Sequence, residues 1–299
     1  MGNVRVSSIT RTPVDQGGGV WGGLGAGTPP VGGTPQLSDS FESQDLSASL
    51  ATQNSINFSW TESNRTGVVK QDGATAHRVW PTAYINSWTD GRDFTAKEGT
   101  YAMSIEYAAG IEMAEQRMAF DARSDLWLRY WLRVPENYYA ADNGGDATSK
   151  FLAIWNTTYQ AGVGGGATFW LSTFRSTGGS CNIAMTNMDG NTGTDLAYSQ
   201  YVPFISVPSD RGRWMELVIH LKTETSAGAS DGIIETWRRW DGDASFTALH
   251  SKTDAALYEV TGGWQAGYFM GWANDPYTAD TWFLIDEVEI AATDIWGTT

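Results

Sequence analysis

Between Leu126 and Val134 the sequence reads LWLRYWLRV, with Trp127, Arg129, Trp131 and Arg133 at every second position. In an extended chain successive side chains point to opposite faces, so these four share one face. Leu128, Tyr130, Leu132 and Val134 then share the other. Trp offers a flat stacking surface and Arg a fork of donors for hydroxyls or carboxylates, which suits a polar, ring-shaped ligand. The segment Trp214–Lys222 divides in the same way. Met215, Leu217, Ile219 and Leu221 form a wholly apolar face, and Trp214, Glu216, Val218, His220 and Lys222 form a mostly polar one. The apolar faces must be core; the polar ones suit the lining of a groove.

Two loops offer oxygen ligands on tight turns: Asp189, Asn191 and Asp195 in DGNTGTD, and Asp241 and Asp243 in DGD. Such donors suit a structural Ca²⁺, which is the one cofactor the sequence suggests. Neither loop has EF-hand spacing, and Asx-rich turns also form for backbone reasons alone. No Ser/His/Asp or Cys/His motif, phosphate loop or zinc spacing is present.

The elements that must carry these residues are strands. Ile56–Trp60, Thr100–Tyr107, Leu126–Val134, Phe151–Trp155, Thr168–Phe174, Trp214–Lys222, Gly232–Trp237 and Thr281–Ile290 are rich in β-branched and aromatic residues. Gly-, Asn- and Asp-rich turns separate them, as in an all-β sandwich or barrel. Only residues 110–118 invite a short helical turn.

Residues 13–36 are just over half Gly and Pro, which predicts an N-terminal arm (1–36) ahead of one sandwich (37–299). Trp21 and Leu24 interrupt that arm, and a pure spacer needs neither, so the arm is expected to dock on a neighbouring subunit.

Thirty-four acidic against nineteen basic residues give a net charge of −15, which repels phosphate backbones and excludes nucleic acid as a ready partner. Cys181 is the one cysteine, so no intrachain disulfide can form. The first residues lack the apolar core of a secretory signal, and no apolar run is long enough for a membrane span. The expectation is synthesis in the cytoplasm and a place on a virion or particle surface.

The order GTYAMSIEY, EQRMAF, LWLRYWLRVPENYY, SKFLAIW, GRWMELVIHLKTET, DGIIETWRRWDG and TWFLIDEVEIA resembles the concanavalin-like jelly rolls of polysaccharide lyases and related non-catalytic domains. The resemblance covers roughly residues 38–292 and leaves the arm outside. It implies a curved sandwich of two antiparallel sheets with a carbohydrate-facing groove. The residues expected to contact a glycan are Trp127, Arg129, Trp131, Arg133, Lys150, Trp214 and His220. Lyases of this group remove the proton α to a uronate carboxyl that a cationic or amide side chain neutralises. By that resemblance Gln116, Arg117, Arg129, Lys150, His220 and Lys222 are candidates, with Tyr159 or Tyr198 as possible bases. A retaining glucanase would need three acids alternating on one strand. Glu287 and Glu289 share a face, but Ile285 extends it without a third acid, and Asp286 faces the other way.

The leading expectation is a non-catalytic structural protein of a virion surface, decoration or tail-associated, with a lectin-like sandwich held to the assembly by its arm. A polysaccharide lyase acting on a uronate polymer and a free carbohydrate-binding module are the alternatives.

Overall fold

The computed structural model describes residues 33–46, 52–72, 75–78, 87–88, 93–140, 149–260 and 262–298. Trp21 and Leu24 lie outside the described residues. The strands run, in chain order, β1 (Leu37–Asp39), β2 (Thr52–Gln53), β3 (Phe58–Asn64), β4 (Thr66–Asp72), β5 (Thr75–Arg78) and β6 (Ser87–Trp88). There follow β7 (Tyr101–Tyr107), β8 (Met113–Arg123), β9 (Asp125–Arg133), β10 (Ser149–Trp155), β11 (Thr168–Arg175) and β12 (Cys181–Met188). The last six are β13 (Asp195–Ile205), β14 (Trp214–Lys222), β15 (Gly232–Trp240), β16 (Thr247–Ala255), β17 (Trp264–Trp272) and β18 (Thr281–Ala291).

Among the described residues these strands form two sheets. The larger has 11 strands, in the order β16-β15-β14-β9-β18-β7-β4-β5-β6, with β1 pairing β18 off this path and β2 pairing β1. The smaller has seven, in the order β13-β12-β11-β10-β17-β8-β3. Neighbouring strands pair antiparallel, and the chain passes from one sheet to the other at β7-β8-β9-β10 and again at β16-β17-β18. This repeated crossing makes the molecule a jelly-roll sandwich.

The alternation in the sequence sets the two faces. Met215, Leu217, Ile219 and Leu221 of β14 and Leu128, Tyr130 and Leu132 of β9, with Val134 just beyond it, are buried in the main core. From the seven-stranded sheet Leu152, Ile154, Phe169, Leu171 and Phe269 meet them. Residues 113–118, within the stretch that invites a helical turn, are instead part of β8, whose Met118 and Phe120 enter the core. Sheet pairing with β3 and β17 overrides the weak local signal.

The described end of the arm is stitched to the sandwich. The Gln36 amide donates to Ile290 O at 2.8 Å, and the Gln36 carbonyl accepts from the Asn54 amide at 2.9 Å. The pairing continues through Leu37 opposite Ile290.

Candidate functional site

The two sheets present outer faces on opposite sides of the sandwich, and the candidate residues divide between them. The 11-stranded sheet carries Trp127, Arg129, Trp131 and Arg133 on β9 and Trp214, His220 and Lys222 on β14. These side chains are held by neighbours from the protein itself. Arg129 lies between Glu216, 2.6 Å from its Nε, and Glu289, 2.7 Å from its Nη1. Burial works against its charge, but Glu289 and Glu216 outweigh it and hold the guanidinium above its ordinary value. Arg239 reaches the second oxygen of Glu216, and the Trp296 indole donates to Glu289 at 2.8 Å.

His220 is clamped through both ring nitrogens, to Glu235 and to Asp125, each at 3.0 Å. Desolvation opposes its protonation, yet the two carboxylates raise its pKa above the ordinary histidine value. The ring stacks on Trp127 at 3.9 Å, and Trp127 in turn on Trp237 at 5.7 Å. Lys222 ends β14 opposite Asp125. Arg133 donates to the Asp93 carbonyl and carboxylate, both at 2.8 Å, and Phe94 packs into the cluster of Trp131, Trp214 and Leu284. Lys97 sits 4.7 Å above the Trp131 ring. The Trp/Arg face lies where alternation puts it, but residues 93–97 and the C-terminal Ile295 and Trp296 pack onto it.

The other face is differently furnished. In the seven-stranded sheet one cross-strand row reads Arg117, Tyr268, Ala153, Trp170 and Thr186, from β8 to β12. A neighbouring row holds Ala119, Ala266, Trp155 and Thr168. Ala153 and Ala266 pack in one cluster with Trp155, Trp170 and Tyr268. Tyr159, in the loop after β10, ties these rings together. Its hydroxyl accepts from Trp170 Nε1 at 3.0 Å and lies 3.1 Å from the Tyr268 hydroxyl. Its ring stands at 70° to Trp155 and 85° to Trp170.

Arg117 is bound to Glu115 at 2.7 Å and to Glu62 at 3.3 Å. Burial raises the Glu115 carboxyl above its ordinary range, although Arg117 draws it back. Burial and the neighbouring Tyr159 phenol, with the Glu115 charge, push the Tyr268 phenol well above its ordinary value. Lys150, on β10 opposite Ser172, is close enough to act on the Glu115 charge.

Gln116, between Glu115 and Arg117, faces inward and is fully engaged. Its carbonyl accepts from Ser63 and Thr66 at 2.8 Å each, and its amide donates to the Glu62 and Arg117 carbonyls at 3.0 Å each. The expected lyase set is therefore split. Arg117, Lys150 and Tyr159 belong to one face and Arg129, His220 and Lys222 to the other, with Gln116 inside. Tyr198 lies on β13 opposite Met185, and its side chain is outside the described residues.

Glu115, Trp155, Trp170 and Tyr268 were not among the residues singled out from the sequence. The signal for Trp170 was present, since TFWLSTF alternates Thr168, Trp170 and Ser172 against Phe169, Leu171 and Thr173. For Trp155 a register shift between Lys150 and Leu152 upsets the count along β10.

The Asp189 loop closes on itself. One carboxylate oxygen accepts from the Asn191 amide at 2.9 Å, the other from the Thr192 amide at 3.1 Å and its hydroxyl at 2.7 Å. Asp195 begins β13 and is exposed. Among the described residues no group of three or more His, Cys, Asp or Glu side chains is placed to hold a metal ion. Among the described residues no helix is long and apolar enough to cross a membrane.

No family model matches the sequence, and no curated protein matches it. Solved structures with a similar fold include an alginate lyase Aly36B mutant in complex with alginate tetrasaccharide, at 11% identity and TM-score 0.47, covering 70% of this chain and 84% of that one. Alginate lyase vAL-1 from Chlorella virus is 10% identical with a TM-score of 0.42, covering 67% and 88%. The cellulose induced protein Cip1 is 17% identical with a TM-score of 0.41, covering 86% and 97%. By its own strand order and pairing, the chain is an all-β jelly-roll sandwich of two antiparallel sheets.

Proposed function

We propose that this chain is a non-catalytic glycan-binding sandwich whose ligand lies across the outer face of the seven-stranded sheet. The observation that carries the reading is the hydrogen-bonded trio of Tyr159, Tyr268 and Trp170 beside the Glu115–Arg117 pair. The half-buried Tyr159 ring offers a face for the apolar side of a sugar and Arg117 a charged edge, while Trp170 and Tyr268, 5% and 3% exposed, hold Tyr159 in place. On the opposite face Phe94 and Lys97 from a distant segment pack against Trp131, and Trp296 reaches Glu289. Retention of the full chain on immobilised polysaccharides, lost on Trp170→Ala, tests the reading. Undiminished retention by that variant would contradict it.

The same groups disfavour a lyase reaction. A β-elimination on this face would draw its base from Tyr159 or Tyr268. The phenolate of Tyr268 is disfavoured by burial, by Tyr159 and by the Glu115 charge. Arg117, the natural partner of a uronate carboxylate, already holds two carboxylates. Incubation with uronate polymers is expected to leave the ultraviolet absorbance of unsaturated ends at baseline; a steady rise would establish the lyase instead.

The second half of the proposal is that residues 1–36 fix the sandwich to a particle such as a virion. Its support is the Gly- and Pro-rich composition of residues 13–36 with Trp21 and Leu24 set into it. Protection of that segment from protease in a native particle is the expected result, and cleavage there as fast as in the free chain would remove the idea.

A further inference from the structure

Trp272, the last residue of β17, is 42% exposed, whereas Trp155, Trp170 and Tyr268 of the same sheet are buried. Its neighbours fix the direction it faces. Ala273 lies in the main core, so Trp272 points outward. The same alternation turns Met113 and Lys150 outward, since Ala114 and Phe151 next to them are core residues. On β8 the partner of Trp272 is Met113. On the other side an antiparallel bridge joins Ser149 to Ala273 and sets Lys150 beside Trp272, each one residue from the bridge. Ile111, in the turn before β8, is also 42% exposed. An open indole, flanked by apolar side chains and a lysine, thus stands on the outer face that bears Tyr159.

Tyr268, to which the Tyr159 hydroxyl is tied, lies four residues back along β17, a span on the order of 10 Å. Among the described residues no hydrogen bond or ion pair holds the Lys150 ammonium, and Glu115 acts on it only from further off. Arg117, by contrast, is taken by Glu115 and Glu62. We infer that Trp272 is a stacking subsite of the glycan site, with Lys150 donating to an oxygen at the edge of the stacked ring. The ligand is then a chain of several sugars that runs along β17 from Trp272 to Tyr159, and not a single terminal sugar. This rests on the glycan-binding reading and extends it to an exposed ring. A pyranose lays its C–H face on an indole and holds its oxygens at the rim, where an ammonium meets them. A hydroxyl and a uronate carboxylate both serve as that acceptor, the second more strongly.

Affinity electrophoresis of the full chain tests this in gels carrying mixed-linkage β-glucan, galactomannan, polymannuronate or polygalacturonate. Retardation is expected in at least one of them. In that gel Trp272→Ala should weaken the affinity by roughly tenfold, the scale of one lost ring contact. Lys150→Met should weaken it by a smaller factor. The lysine's effect fades with salt if its partner is a uronate carboxylate and persists if it is a hydroxyl. Both side chains lie outside the core, so both variants should keep the parent's circular dichroism. Long oligosaccharides of the retained polymer should release the chain from the gel, and its monosaccharide should not. Parent affinity in Trp272→Ala, or release by the monosaccharide alone, would overturn the subsite and leave glycan binding standing. Retention by none of the four polymers would overturn both.

Discussion

The indole Nε1 of Trp170 donates to the hydroxyl of Tyr159 at 3.0 Å, joining a ring on β11 to a loop that follows β10. The same hydroxyl meets Tyr268 at 3.1 Å, so one phenol organises three elements of the proposed groove. Tyr159→Phe keeps the ring and removes both contacts. Thermal unfolding should show a loss of about 1 kcal/mol for each neutral hydrogen bond. Glycan affinity should fall as well, since the rings lose their fixed angles. An unchanged affinity would mean that the trio is packing and nothing more.

The loop bearing Tyr159 is held from the other side by Gly190. A Cβ there would come within 2.4 Å of the Tyr258 carbonyl oxygen and 2.6 Å of the Gly166 carbonyl carbon. Both are backbone atoms that cannot swing aside. Gly190→Ala is therefore expected to displace the loop and weaken glycan binding while leaving the sandwich folded, as read by binding and circular dichroism together.

On the opposite face the account predicts structure without binding. Arg129 is held by Glu216 and Glu289 on a side chain 16% exposed. Removing one member of a buried ion set leaves the others uncompensated, at a cost of about 3–5 kcal/mol. Arg129→Met should lower the unfolding free energy by that order, read from denaturant titration, and the protein that remains folded should keep its glycan affinity.

A pH signature comes from Asp286, whose carboxylate accepts from the amides of Lys97, Glu98 and Glu287 at 2.9, 3.2 and 2.8 Å. Burial pushes its pKa up to about 7, against those amide donors and with Glu287 adding repulsion. An unfolded chain releases this proton near the ordinary value of 3.8, whereas the folded one keeps it until about 7. Between those values the folded state holds a proton that the unfolded state has lost, so stability falls as pH rises through the window. The loss is on the order of a few kcal/mol. Asp286→Asn should flatten that part of the stability profile; an equal slope in both proteins would contradict the assignment.

Much of the fold was legible because period-2 alternation is a direct consequence of strand geometry. The split of β9 and β14 into core and outer faces could be read residue by residue. What alternation does not encode is whether an outer face is covered. Trp131 and Trp214 read as groove lining, but Phe94 and Lys97 from a distant segment pack over them. Nor does it encode which strands share a sheet. Arg117 and Arg129 lie close in sequence on consecutive strands, yet the chain changes sheet between β8 and β9 and sends them to opposite sides. Tyr268 was obscured for a third reason. Its strand, WQAGYFMGW, carries Gly267 and Gly271, which weaken the local strand signal, and the pairing with β8 and β10 defines it.

The central claim is that the ligand face belongs to the seven-stranded sheet. The most direct measurement compares Trp170→Ala with Trp131→Ala in titrations of one retained polysaccharide, each corrected for its folded fraction. The account predicts a clear loss for Trp170→Ala, whose indole holds the Tyr159 hydroxyl, and the parent affinity for Trp131→Ala. Full affinity in Trp170→Ala together with its loss in Trp131→Ala would contradict it and return the groove to the 11-stranded sheet.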